Sequence, residues 1–387
     1  MPVQPPLDLL DVQLSLRKEG PMKPAKTNWK FILDFRMLSI LLLIAVVPFL
    51  LGTWWLINSY RGSYLEAQGT SMAEEAEVAF NYLNNYLENQ IIEIAGLTEV
   101  PTLREAIEKN NLDLRTGTSE AQKKATAITA RWQAADYRSP ELRAVLDNPA
   151  SDFLRRYTAI HSSYREIIVT DLLARTVAAT GKTSDFQHIN DLWWKEAYSD
   201  GQKGAVYIGD VHYHESAKTY SFDVAQPFVD PKGGVMGAIM VGIDMQEIHA
   251  LVGSLRTGFG GTAALIRANG SVISAPGYSF LDKRLFPSMQ DIINAREKGK
   301  GYVITQTNPR TILSLNSQGS MRGYPHLNWI LAISSPVSQI IGPLTHLLRN
   351  IVMLMLAVIL LTFLVALWLS RAESRPILEE DAHLERI

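Results

Sequence analysis

The sequence predicts an α+β protein: two tandem modules of antiparallel sheet on a long N-terminal stalk helix, flanked by two membrane-spanning helices. Three observations lead there. Two apolar spans, Met37 to Ile57 and Asn350 to Leu369, enclose nearly three hundred residues of mixed polar sequence. A proline-free stretch after the first span carries apolar residues at alternating spacings of three and four. Beyond it, a strand-turn-strand pattern occurs twice, about 96 residues apart.

Each span is about twenty residues, enough to cross a hydrocarbon core of about 30 Å at a rise of about 1.5 Å per residue. Pro48 is tolerated inside a membrane helix and is expected to kink it. Orientation follows from positive charge, which is retained on the cytoplasmic side. Arg17, Lys18, Lys23, Lys26, Lys30 and Arg36 precede the first span, whereas Arg61 after it gives way to Glu66, Glu74, Glu75 and Glu77. Arg371 and Arg375 follow the second span, with Arg349 just before it. Both termini are therefore expected in the cytoplasm and residues 58–349 outside, periplasmic or extracellular. A cleaved signal peptide fits less well, because the span is long, its positive lead-in lies far from Met1, and no Ala-x-Ala site follows. Residues 1–36, with five prolines in the first two dozen, read as a disordered cytoplasmic tail.

Composition excludes several classes. A net charge of -2 and a pI near 6.5 give no basic stripe for nucleic acid. Without cysteine there is no disulfide, thiol nucleophile or thiolate-held metal. The external part has no glycine-rich phosphate loop, Gly-x-Ser-x-Gly elbow or His-Glu-x-x-His helix, so neither catalysis nor a cofactor is expected.

The stalk is expected over residues 58–100. Leu65, Met72, Ala76, Ala79, Leu83 and Tyr86 form a seam with a period of about 3.5 residues, as in a packed helix pair. Val78, Phe80, Leu87, Ile91 and Ile94 widen it, so the helix is expected to pack on its own domain and on a second copy, making a homodimer. Burial against its own domain alone is the other reading. Residues 101–149 read as mostly helical, with Pro101, Pro140 and Pro149 as breakers and Gly117 in a polar loop.

At Tyr164 the texture changes. Glu166-Ile-Ile-Val-Thr-Asp171, a turn near Leu173-Ala-Arg175 and Thr176-Val-Ala-Ala-Thr180 make strand, turn and strand. Thr262-Ala-Ala-Leu-Ile-Arg267, the Asn269-Gly270 turn and Ser271-Val-Ile-Ser274 repeat the shape. Each copy closes alike: Val235 to Ile243 leads into Met245-Gln-Glu-Ile248, and Asn328 to Ser334 into Val337-Ser-Gln-Ile340. Two related modules in series follow, residues 101–250 and 251–345, each an antiparallel sheet with helices on one face.

This arrangement resembles the double Cache extracellular sensor domain of bacterial transmembrane receptors. The residues that carry the resemblance are Ile168-Val-Thr-Asp171, Ala178-Ala-Thr-Gly181, Asp191-Leu-Trp-Trp194, Tyr207-Ile-Gly-Asp210, Ala225-Gln-Pro227, Gly234-Val-Met-Gly237 and Val241-Gly-Ile-Asp244, over residues 60 to 345. Leu369-Ser-Arg371 and Ser374-Arg-Pro-Ile377 resemble the opening of a HAMP linker, giving residues 370–387 a HAMP-like start. The resemblance implies PAS-like modules in a receptor subunit of the bacterial inner membrane, which binds a small external molecule and passes a helix displacement across the bilayer. The output module, a kinase, cyclase, phosphatase or chemotaxis domain, is expected on a separate chain or beyond this segment. Two other readings stay open: an anchored solute- or partner-binding protein without output, and an anchored metal-dependent hydrolase.

The implied pocket lies in the membrane-distal module. Trp193 and Trp194 supply apolar faces, and Tyr207, Asp210 and Tyr213 on a following strand-like segment supply convergent polar groups. In the amino-acid-sensing branch an arginine two residues before the tryptophan clamps the ligand carboxylate and a strand-end aspartate takes the amine. Trp193 and Asp244 match, but the arginine position is Asp191, so bidentate carboxylate capture is lost. The expected ligand is an amine, a polyamine or a neutral compound. The tryptophans read equally as core, and Asp244 equally as a helix cap. His212 and His214 alternate on a strand and could begin a metal site, but without a third ligand they are expected to face solvent, and no metal is assigned.

Overall fold

The computed structural model describes residues 35–373 except residues 200–204, 216–217, 256–259, 283–290, 292–293, 295–296, 300, 306–308 and 317–326. The expected tail, apart from Phe35 and Arg36, and the HAMP-like start beyond Glu373 lie outside the described residues. The chain divides into two compact units, one of Met1–Asn58 with Met353–Ile387 and the other Ser59–Val352.

Helix α1 runs unbroken over Phe35–Thr98 and contains Pro48. The apolar seam forms as expected, but Leu65, Met72, Ala76, Ala79 and Leu83 are all buried within their own chain. They join one continuous core with residues of both sheets, among them Ile167 and Val241 of the first and Leu265 and Leu331 of the second. These five seam residues are therefore spent intramolecularly. Val78, which the sequence placed on the same stripe, faces outward at 70% exposure. Lying 100° per residue around the helix, it shares a side with Tyr82 and Ile92, which are exposed as well.

Four helices follow: α2 (Pro101–Thr116), α3 (Thr118–Trp132), α4 (Pro140–Leu146) and α5 (Pro149–Ile160). The three prolines open helices rather than merely breaking them, since the first turn needs no proline N–H. Gly117, expected in a polar loop, is a single-residue break between α2 and α3 at φ 146°, a conformation open to glycine.

The first sheet contains β1 (Tyr164–Asp171), β2 (Thr176–Ala179), β3 (Tyr207–Ile208), β4 (His212–His214), β5 (Thr219–Val229) and β6 (Val235–Asp244), with helix α6 (Leu192–Tyr198) between β2 and β3. Its order is β2-β1-β6-β5-β3, with β4 also pairing β5, and every pairing is antiparallel. After helix α7 (Gln246–Ser254) the second sheet forms from β7 (Thr262–Arg267), β8 (Val272–Ser274), β9 (Tyr302–Ile304), β10 (Thr311–Leu315) and β11 (Trp329–Pro336), in the order β8-β7-β11-β10-β9. Both sheets thus place their second, first, last, penultimate and third strands side by side, so the sequence repeat is a repeat of topology.

The turns follow from named side chains. Asp171 Oδ1 accepts from the backbone N–H groups of Leu173 and Arg175 at 2.9 and 3.0 Å, closing the β1–β2 connection. In the second copy Gly270, at φ 80°, takes the left-handed position after Asn269. Gly237 sits where β6 meets β1, and a Cβ there would collide with the Thr170 carbonyl oxygen.

The chain leaves β11 directly into helix α8 (Val337–Glu373). Among the described residues, one helix is long and apolar enough to cross a membrane, the Val337–Val365 part of α8, with mean hydropathy 2.5. It begins at the end of the sheet, earlier than the expected Asn350. The described apolar side chains of the first expected span, including Leu43, Ile44, Phe49, Leu51, Trp54 and Trp55, are exposed on α1.

Candidate functional site

Strand alternation separates two faces of the first sheet. Phe222 and Val224 of β5, Val241 and Ile243 of β6 and Ile167 of β1 point into the helical core and are fully buried. The residues between them, Asp223, Gly242 and Glu166, must point to the opposite face. The register sets these three side by side, because Gly242 pairs with Asp223 on one flank and with Glu166 on the other. A glycine between two carboxylates leaves a gap: a Cβ there would lie 3.7 Å from Asp223 Oδ1 and 3.7 Å from His214 Cδ2.

Two imidazoles border this gap. His214 Nε2 lies 3.2 Å from Glu166 Oε2, and His212 Nε2 lies 3.7 Å from Asp223 Oδ2. The His214 side chain is 13% exposed and that of His212 44%. The expectation of solvent-facing histidines fails for His214, because β4 folds back onto β5 and carries the ring over Gly242. Asp223 supplies the third ligand-type group that the pair lacked, and atoms of His212, His214 and Asp223 lie within 4.8 Å of one another.

The electrostatics fit a partly dry site. Burial pushes the Asp223 carboxyl up to about 6; His212 opposes this and Asp191 adds to it. Burial, and then His212, lower His214 below the usual histidine range. Asp223 Oδ1 is buried without a hydrogen-bond partner, a state that costs free energy unless something else satisfies it.

Helix α6 covers the neighbouring part of the same face. Trp193 and Trp194, 7% and 5% exposed, pack on Ile168, Ala225, Ala238 and Met240, where the two alanines make room for the indoles. Their ring bodies are therefore core. Trp194 stacks on Tyr198 at 4.5 Å, and its Nε1 is buried without an acceptor. Asp191 begins α6, and its Oδ2 lies 2.7 Å from His188 Nδ1. Tyr207 packs half-buried against the tryptophan cluster, its hydroxyl pKa raised by burial and then by Asp223.

The other expected residues go elsewhere. The single strand-like segment expected to carry Tyr207, Asp210 and Tyr213 is two short strands, with Asp210 between them. Asp210 faces the junction of the modules: its Oδ2 accepts from Arg267 Nε at 2.7 Å and its Oδ1 from Trp329 Nε1 at 3.0 Å. Tyr213 alternates away from His212 and His214, is exposed, and meets Tyr220 edge-on. Asp244 accepts from Gln246 N at 2.8 Å at the start of α7, and from Arg165 Nε at 2.7 Å. Its carboxylate is thus occupied by partners within the chain, one residue before the helix N-cap at Met245.

Asp210→Ala is expected to loosen the junction, since it leaves the Trp329 N–H unpaired and breaks an ion pair, for a loss of about 1–2 kcal/mol. Thermal unfolding that is unchanged in the variant would remove Asp210 from this role. Glu166 and Asp223 were not singled out from the sequence as site residues. The available signal was a carboxylate at an alternate position of an apolar strand, as in Phe222-Asp-Val224.

No family model and no curated protein matches the chain. Solved structures do. The ligand-binding domain of the Pseudomonas fluorescens chemoreceptor CtaA, in complex with L-isoleucine, is 13% identical over 73% of this chain and 98% of that one, with a TM-score of 0.43. That of the Pseudomonas aeruginosa PAO1 amino acid chemoreceptor PctB, in complex with L-Arg, is 16% identical over 70% and 96%, at 0.41. That of the Campylobacter jejuni chemoreceptor Tlp3, in complex with 4-methylisoleucine, is 12% identical over 63% and 96%, at 0.40.

Proposed function

We propose that the chain is the sensing part of a two-pass membrane receptor, with residues 58–349 outside the cytoplasm and both termini inside. The observation that carries this reading is the outward face of the first sheet, where Glu166, Gly242 and Asp223 form a row with a buried, unpaired carboxylate oxygen. Such a group is costly to folding, and perturbed buried carboxylates of this kind concentrate at binding sites. Its module packs on α1, which continues into the first apolar span, and the repeated module ends in α8.

The ligand is a small cationic solute. Glu166, Asp191 and Asp223 give this part of the chain a negative field, and Asp191 stands where a carboxylate-clamping guanidinium would be needed. Binding that favours one packing of the sheet on α1 shifts the population toward it by the differential affinity of the solute. Displacements of about 1–2 Å between packed helices are a common output of such shifts. A second copy of the chain, if it joins along the stalk, meets Val78, Tyr82 and Ile92 rather than the buried seam.

The test uses the absence of cysteine. Full-length chain in nanodiscs, carrying one introduced cysteine in the apolar part of α1 and one in that of α8, is exposed to a panel of amines and metal ions. A bound solute raises the unfolding midpoint, and it should also change the rate of disulfide formation between the helices. A midpoint shift with an unchanged disulfide rate would favour an anchored binding protein without output. Protease access to residue 200 from the cytoplasmic side alone would defeat the topology.

A further inference from the structure

We infer that His212, His214 and Asp223 form a binding site for a divalent transition-metal ion, with Glu166 as the neighbouring second carboxylate. The inference rests on the reading of this face as the binding site and is independent of whether the chain signals.

The donor set points to the class of ion. Two imidazoles and a carboxylate suit zinc, nickel, copper or cobalt, whereas magnesium and calcium prefer oxygen donors alone. Bonds of about 2.0–2.2 Å put the ligand atoms of one tetrahedral ion about 3.4 Å apart. The three candidate atoms lie within 4.8 Å of one another, so rotations that move each by about 1 Å close the set around an ion. His212 and His214 are two apart on β4 and share a side, and the β4–β5 pairing brings them beside Asp223.

Charge and burial argue the same way. Asp223 and Glu166 carry two negative charges that match a doubly charged ion, and they sit in a row with only Gly242 between them. Asp223 Oδ1 is a buried acceptor without a hydrogen bond, which is the atom a metal would satisfy. His212, with 44% of its side chain exposed, marks the side from which an ion can enter. Three protein ligands leave coordination positions open. A water or a Lewis-basic group of a small solute can complete the shell.

The test is metal binding by the full-length chain in nanodiscs, stripped with chelator and titrated with Zn²⁺ against a competing indicator dye. Co²⁺ absorption reports the geometry, and Mg²⁺ serves as the control. The expected result is one equivalent of Zn²⁺ per chain, with affinity reduced at least about tenfold in His212→Gln, His214→Gln and Asp223→Asn and unchanged in His249→Gln. His212→Gln alters a partly exposed ring, so its loss of binding can be read without concern for the fold. The unfolding midpoint of each apo variant checks the others. No stoichiometric binding, or binding equal in all four variants, overturns the inference. So does a midpoint raised by spermidine but not by Zn²⁺. Zn²⁺ that binds through these residues without changing the α1–α8 disulfide rate upholds the metal site and counts against signalling alone.

Discussion

Arg175→Ala should unfold the first module at neutral pH more readily than any other single change proposed for this chain, with a loss of about 4 kcal/mol, as expected when one partner of a buried ion pair is removed. Arg175 Nε donates to Asp171 Oδ2 at 2.6 Å, and its Nη2 donates to the Asn110 carbonyl oxygen at 3.0 Å. The Asp171 carboxyl is fully buried. Burial already raises its pKa, and Arg175 is the strongest influence holding it down. Without the guanidinium the folded-state pKa rises further, while the unfolded value stays at about 3.9. A raised folded pKa means that the folded chain holds a proton the unfolded chain has released. Stability is therefore greatest below about pH 4 and falls as pH rises through the folded value. Urea unfolding followed by tryptophan fluorescence should show a larger deficit at pH 7 than at pH 5. An equal deficit at both would show that the loss is packing and not an isolated charge. Adding Asp171→Asn, which keeps the Oδ1 acceptor of the turn, should recover much of the stability.

Asp223→Asn is expected to act in the opposite direction. With chelator present at pH 7, the variant should be more stable than the parent by about 3 kcal/mol, since one unit of pKa shift is worth about 1.4 kcal/mol and the carboxyl stands about two units above its ordinary value. The folded-state pKa of Asp223 stands at about 6, above the ordinary carboxylate value. The parent thus loses stability as pH rises from about 4 through 6, and the variant lacks this loss. The gain should shrink toward zero at pH 4, as read by thermal unfolding across that range. A destabilised variant at pH 7 would mean that the carboxylate holds the fold together and is not a strained site group. Saturating Zn²⁺ should reverse the order of the two proteins if the metal site is real, because only the parent gains binding energy.

Local patterns were legible because their causes lie within a few residues. The β-branched run in Glu166-Ile-Ile-Val-Thr-Asp171 marked β1, and the Asp171 turn is closed by a side chain bonding two backbone N–H groups close by. The repeat predicted two modules, and both sheets have the same strand order. The apolar residues of the stalk announced a helix with one buried side, but not what would bury it. Periodicity gives the direction of a face and says nothing of its partner, so Met72 and Leu83 could equally have met a second copy.

Asp210 and Asp223 show the same limit. Asp210 was drawn toward Tyr207 and Tyr213 by nearness in sequence, yet its partners Arg267 and Trp329 lie 57 and 119 residues away. Asp223 and Glu166 flank one glycine only because three strands from different parts of the chain fall into register.

The sequence by itself determined the apolar spans, the stalk helix, the strand-turn-strand opening and strand-helix close of each copy, the duplication of the sheet module and the turn positions, since hydrophobic period and backbone preference act over short separations. The tertiary structure alone decided that the stalk seam belongs to the chain's own core and that His212, His214, Asp223 and Glu166 share one face. It also decided that Asp210 joins the modules. Strand register and helix-to-sheet packing are set by the summed burial of many distant side chains, and no local stretch carries that sum.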